Sequence, residues 1–330
     1  MRHLLKRFSI LVLTMWTAVT LNFIIPRLMP GNPAEVILAK FRSQGQVSAS
    51  QIHAIEVMLG LNTHQSLFQQ YILYWKKVFT FDFGLSYTFY PEHVSTLIGQ
   101  ALPWTLVLLG FTGILGFIIG SGLGVFTAWK NGSKLDSILT ISSTFTQVFP
   151  YFWVAMLAVY VLGYILQWFP LSQGYSSDFS PSLDLQFLNS ALYHSILPAF
   201  TILVTSLGGW LLTMRNNMVA VMAEDYMTLA QAKGLRQKKV AVSYGGRNAM
   251  LPSLTSFALM IGTLVGGNVI VEQVFAYPGL GNLLYTAVQN QDYPLMQGIF
   301  LIIVICVVLA NFLADIFMVL IDPRIRREVK

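Results

Sequence analysis

Charge is the scarcest commodity in this sequence. Only 10% of its 330 residues are Asp, Glu, Lys or Arg, while 55% are hydrophobic; an ordinary soluble domain carries about a quarter charged residues. With a mean hydropathy of +0.62, a water-soluble globular chain is excluded. Cysteine is limited to Cys306, set in an apolar run, which excludes a disulfide framework and a thiolate metal site. No G-x-x-x-x-G-K-[ST] stretch occurs, so the chain carries no recognisable ATP site of its own. His53, His64 and His93 lack metal-ligand spacing, and no nucleophile, base and orienting group fall into a catalytic pattern. No metal, cofactor or catalytic residue is expected.

What is present is a series of long apolar runs. A bilayer core needs about 20 apolar residues per helix, and six runs approach or exceed that: 8–25, 102–126, 138–168, 195–214, 254–271 and 295–320. The first follows Arg2, Lys6 and Arg7 but lacks a small-x-small cleavage site, so it reads as an uncleaved span. The third is over-long and contains Pro150, which predicts a tilt or kink. Six spans put both termini on one side. Lys and Arg number three before the first span, two in the loop around 129–136, six in 215–247 and four after Asp322, 15 in all, against 5 on the other side. That bias predicts cytoplasmic termini. The net charge of +6 therefore reflects topology and argues against nucleic acid. The organisation expected is an N-terminal helix (1–29), an extracytoplasmic segment (30–93) with partly interfacial helices, a five-helix core (94–320) and a short tail (321–330).

Small and polar residues mark the exceptions. In "GFTGILGFIIGSGLG", Gly116, Gly120 and Gly124 recur every fourth residue, a smooth stripe for close helix approach; Gly262 and Gly266 repeat the spacing in the fifth span. This reads as packing within the bundle, with a subunit interface as the sharper alternative. Asp315 follows Asn311 by one turn in the last span, and Glu272 closes the fifth, before the turn at Pro278 and Gly279. These three polar groups are candidates for a pathway or for structural pairing, because an ionisable group facing lipid is costly.

The longest cytoplasmic segment, 215–250, is the most structured. In "AEDYMTLAQAKGLRQKKV", Glu224 and Asp225 open a short helix and Lys233 closes it before Gly234, the charge order a helix dipole favours. Ala230 and Ala232 keep its end slim. Such an elbow can slot into a cleft on another protein, or lie against anionic membrane lipid. The block "EDYMTLAQAKGL…RNAMLP", with "GGNVIVEQVFAYPGLGNLL", "DYPLMQG", "RHLLKR…PRLMPGNPAE", "FDFGLSY" and "NFLADIFMVLIDPRIR", resembles the permease subunit of peptide-type ABC importers, the oligopeptide/dipeptide/nickel subgroup, over essentially the whole chain.

The family's alanine–glycine "EAA" loop docks into an ATPase. Here its glutamate and first alanine are replaced by Thr228 and Leu229, whereas Ala230 and Gly234 match. The resemblance implies an all-α membrane protein of the type I ABC importer permease fold, in the inner membrane of a prokaryote. It implies ATPase coupling through Glu224, Asp225, Tyr226, Ala230, Ala232, Lys233, Gly234 and Leu235. The implied partners are a second homologous permease, two ATPase subunits that use ATP and Mg, and an extracytoplasmic binding protein that delivers peptides. Nickel chelates or sugars on the same machinery, or a proton-coupled secondary carrier, are the alternatives. One departure stands out: Gly245-Gly246 precedes "RNA", where relatives keep helix formers. Two interior glycines cost about 1 kcal/mol each against Ala, which predicts a broken or hinged return helix.

Overall fold

The computed structural model describes residues 2–28, 66–266 and 268–321. Among these the regular structure is all helix, joined by irregular loops such as 166–184, apart from one isolated bridge between Leu85 and His93. Helix is the solution for spans in lipid because it satisfies every backbone group within the segment. In chain order the helices are α1 (Arg2–Leu28), α2 (Leu67–Thr80), α3 (Val94–Trp129), α4 (Lys134–Val148) and α5 (Tyr151–Ala158, widening into a π-helix over Val159–Ile165). Next come α6 (Leu185–Met222), the short α7 (Asp225–Ala232) and α8. The last of these runs through Gln237–Lys239, a π-helix at Val240–Gly246 and Arg247–Thr263. Then follow α9 (Val269–Val274), α10 (Leu280–Gln289) and α11 (Tyr293–Ile321).

The stripe at Gly116, Gly120 and Gly124 lies against α6. A Cβ on Gly120 would sit 2.5 Å from the Trp210 Cβ, and one on Gly124 would sit 2.6 Å from the Leu211 carbonyl oxygen. Gly116 is looser, with the Ser206 hydroxyl 3.1 Å from such an atom. On α6, Gly208 meets the α4 backbone at Ser143 in the same way, at 2.6 Å. The glycines thus bring three spans to backbone contact inside one chain, which is the packing reading. Gly266 makes only ordinary contact with Ile303, and the surroundings of Gly262 lie outside the described residues. The outward surface is apolar: Val107, Ile118, Ile138 and Ile141 are all exposed. Lipid accommodates that face where water would not.

The described residues match the six expected spans in part. Among the described residues, four helices are long and apolar enough to cross a membrane unaided: Phe8–Ile25, Val94–Trp129, Leu185–Met222 and Tyr293–Leu313. The pair α4 and α5 makes at most a fifth, bent by 92°. Its break falls at Phe149 and Pro150, because proline disfavours helix in the residue before it and cannot donate into the preceding turn. The expected span 254–271 is not one helix. It tightens to a 3-10 turn at Leu264–Gly266, and the Asn268 side chain then caps a new helix by accepting from the Val271 amide.

α1 lies on α11 through a polar clasp. Asn22 Nδ2 donates to the Gln297 carbonyl at 2.8 Å and to the Tyr74 hydroxyl at 3.0 Å, and Gln297 returns a bond to the Asn22 carbonyl. α2 opens with a Ser66–Gln69 capping box and keeps Leu67, Phe68 and Phe79 exposed. Most of the segment 30–93 before it, and the tail after Ile321, lie outside the described residues.

Candidate functional site

The elbow is one short helix plugged into the bundle by two residues. Its N-terminal residue Glu224 has extended backbone and makes no side-chain cap, and Asp225 supplies the acidic charge of the first turn. Met227 and Ala230, three apart and so on one face, are buried against Val240, Val221, Met222 and Leu235. The remaining surface of α7 is open: Asp225, Tyr226, Thr228, Leu229, Ala232 and Lys233 are all exposed. Gly234 ends the helix with φ +72 and its amide donates to the Gln231 carbonyl. Space around it is empty, so backbone conformation and not crowding demands glycine there.

The small-residue track therefore divides. Ala230 is slim because the return helix lies on it, while Ala232 and Gly234 belong to the exposed rim. A single side-chain bond crosses the elbow, from Asn248 Nδ2 to the Tyr226 hydroxyl at 2.9 Å.

Gly245-Gly246 does not break the return helix. From Lys239 to Arg247 the dihedrals at the π-segment boundaries stay helical, and the run enters Arg247–Thr263 without interruption. A Cβ on Gly245 would lie 2.5 Å from Met218 Cε and 3.3 Å from Met227 Cε. The glycine makes room where methionines of α6 and α7 converge on α8, so it is a packing contact and not a hinge. The expectation failed because propensity was weighed without the neighbours that override it.

Two residues that sequence reasoning passed over fix the same end of the bundle. Arg215, near the end of α6, forks onto Asp136 in the first turn of α4: Nε donates to Oδ1 at 2.6 Å and Nη2 to Oδ2 at 2.9 Å. Asp136 also accepts from the Gly132 amide and the Thr140 hydroxyl. A Ser-x-x-Asp pattern at 133–136 was the available signal for the cap half of this arrangement.

At the opposite end, Glu272 is fully buried. Its Oε2 accepts from the Gly281 and Asn282 amides at 2.7 and 3.1 Å, in the first turn of α10, and its Oε1 accepts from the Thr105 hydroxyl at 2.9 Å. Thr105 in turn accepts from the Leu280 amide. An anion at a helix N-terminus is doubly favoured, by free amides and by the dipole. Glu272 thus takes a structural place, clasping α9, α10 and α3.

A second buried carboxylate, Asp292, caps α11 through the Leu295 amide and holds the "FDFGLSY" turn by accepting from the Ser86 hydroxyl and the Thr88 amide. Burial and the Asp292 charge push the nearby Tyr87 phenol above its ordinary pKa. Of the other polar candidates, Asn311 is half-buried on α11, and the Asp315 side chain lies outside the described residues. Among the described residues no three His, Cys, Asp or Glu gather as a metal would need.

Apolar helices long enough to cross a membrane, with an exposed elbow between α6 and α8, define a membrane-embedded protein. The sequence comparisons assign the family. Residues 120–327 match the binding-protein-dependent transport system inner membrane component, and the chain belongs to that family. Similar curated proteins span nearly the whole length. The oligopeptide transport system permease protein AppB of Bacillus subtilis (strain 168) is 35% identical over 92% of this chain and 93% of its own. The di/tripeptide transport system permease protein DppB of Pseudomonas aeruginosa (strain UCBPP-PA14) is 32% identical over 98% of both. The dipeptide transport system permease protein DppB of Lactococcus lactis subsp. cremoris (strain MG1363) is 29% identical over 98% of this chain and 99% of its own.

Proposed function

We propose that this chain forms half of the translocation pathway of an ATP-driven importer for di- or oligopeptides. In this reading it pairs with a second homologous permease, two ATP-hydrolysing subunits and an extracytoplasmic binding protein. The elbow end faces the cytoplasm, in keeping with the 15-to-5 distribution of basic residues. α7, with Asp225, Tyr226, Leu229, Ala232 and Lys233 outward, enters a cleft of an ATPase subunit. Met227 and Ala230, plugged beneath α8, pass its displacement to the spans.

The observation that carries the reading is the pairing of this exposed, two-point-anchored elbow with near-full-length similarity to permeases named for peptides. A proton-coupled carrier is less well supported, because both buried carboxylates at the outer end are fully engaged in capping helices.

The test is peptide uptake by cells carrying the complete complex. Gly234→Glu places a bulky side chain at φ +72 on the docking rim, and it abolishes uptake while the protein remains inserted. Undiminished uptake in an inserted variant removes the coupling assignment. Competition of labelled tripeptide uptake by nickel chelates or sugars separates the substrate classes.

A further inference from the structure

Two helix breaks meet in one open cavity on the flank of the bundle, where Gln147, Phe149 and Pro150 are exposed. The first is the α4–α5 bend, where Phe149 and Pro150 have extended backbone. The second is the passage from α8 to α9 at Asn268. Between them opens a cavity of about 450 Å³, walled on its third side by α6. Its depth follows from α6: at about 1.5 Å per residue, Ser206 lies roughly 24 Å from the elbow end of that helix and roughly 32 Å from the other. Non-helical backbone at membrane depth persists only where protein covers it or where it lines a water-filled space. Discontinuous helices with unwound backbone form the midplane binding sites of many secondary transporters.

The side chains agree with the backbone. Thr146 and Gln147 from α4, Thr205 and Ser206 from α6, and Asn268 line this one cavity, and none of its described lining residues is charged. The Thr146, Thr205 and Ser206 hydroxyls donate to carbonyls of their own helices, which leaves their lone pairs to accept. Gln147 donates to the Ser143 carbonyl and Asn268 accepts from the Val271 amide, and each carboxamide has capacity beyond that bond. Such a wall matches neutral amide groups and discriminates weakly among side-chain charges.

We infer that this bend cavity is the part of the pathway that contacts the passing peptide, with Gln147, Thr205 and Asn268 hydrogen-bonding its backbone. The inference rests on the peptide-importer reading, and two independent readouts separate them. In the full complex, with native Cys306 replaced by serine, Gln147→Cys and Thr205→Cys react with a charged, water-soluble thiosulfonate reagent, whereas Val107→Cys on the exposed apolar face of α3 does not. This arm needs no peptide, so it judges the cavity even if the complex never responds to peptides.

In proteoliposomes, Gln147→Leu and Asn268→Leu each lower trialanine uptake about three- to tenfold, the worth of one lost hydrogen bond. Stimulation of ATP hydrolysis by the loaded binding protein persists in both variants. Cysteines at 147 and 205 that stay unlabelled, or leucine variants that transport trialanine at the unmodified rate, overturn the inference. Failure of the loaded binding protein to stimulate ATP hydrolysis in the unmodified complex overturns the parent reading instead.

Discussion

The carboxylate clasps and the seat of the elbow helix α7 are fastened by different chemistry. Away from the elbow, Glu272 and Asp292 are each fully buried and each accept three hydrogen bonds, tying together segments more than a hundred residues apart. At the elbow end, α7 is seated by two apolar side chains and one exposed bond between side chains. Buried charge-assisted bonds are stiff and costly to break, whereas an apolar plug slides and repacks. The lesson is a division of labour: the Glu272 and Asp292 clasps, with the Arg215–Asp136 fork at the elbow end, hold the helices in register, and α7 presents a lever that can be pushed.

The largest effect is expected where the clasp is cut. Glu272→Ala leaves two backbone amides and the Thr105 hydroxyl without an acceptor in a closed site, at about 2–4 kcal/mol. Thermal unfolding in detergent shows a large drop in Tm for this variant. Glu272→Gln, which keeps one acceptor oxygen, loses less. Equal Tm values for Glu272→Ala and the parent would break the contrast between clasp and elbow.

Next comes the glycine seam. In Gly124→Ala the new methyl meets the Leu211 carbonyl and Met214 Cβ, both close to the α6 main chain, so the helices must part at a cost of about 1–3 kcal/mol. Gly116→Ala meets no main chain, its tightest contact being the Ser206 hydroxyl at 3.1 Å, and costs visibly less. Met227→Ala removes the plug beneath α8. Its effect is local: protease cuts faster within 224–236 while the global Tm moves much less than for Glu272→Ala.

Much of this division was legible from residues. The elbow's acid-to-base order and Gly234 as its left-handed end emerged as expected, as did the Pro150 bend. The glycine stripe at 116, 120 and 124 declared close approach, although only the structure identifies α6 as the partner. The misses share one physical cause. A hydropathy run measures apolarity and not backbone continuity, so 254–271 read as one span despite the Asn268 cap. Glu272 stayed open between a pathway and a structural role, because a sequence shows the carboxylate and hides the amides nine and ten residues on that accommodate it. Arg215 and Asp136 are 79 residues apart, and nothing local pairs them.

The smallest effect tests the elbow side most finely. Gly245→Ala gains about 1 kcal/mol of helix propensity. Against that, its methyl collides with Met218 Cε, the free end of a flexible side chain that yields at modest cost. The two contributions nearly cancel, so Tm should change little, while Gly245→Leu, too large for the gap between Met218 and Met227, destabilises and loosens α7. A hinge would respond otherwise. Its alanine variant would be plainly more stable and would transport poorly, because the motion itself would be lost. Measuring Tm and peptide uptake on the same Gly245→Ala preparation distinguishes a packed lever from a hinged one.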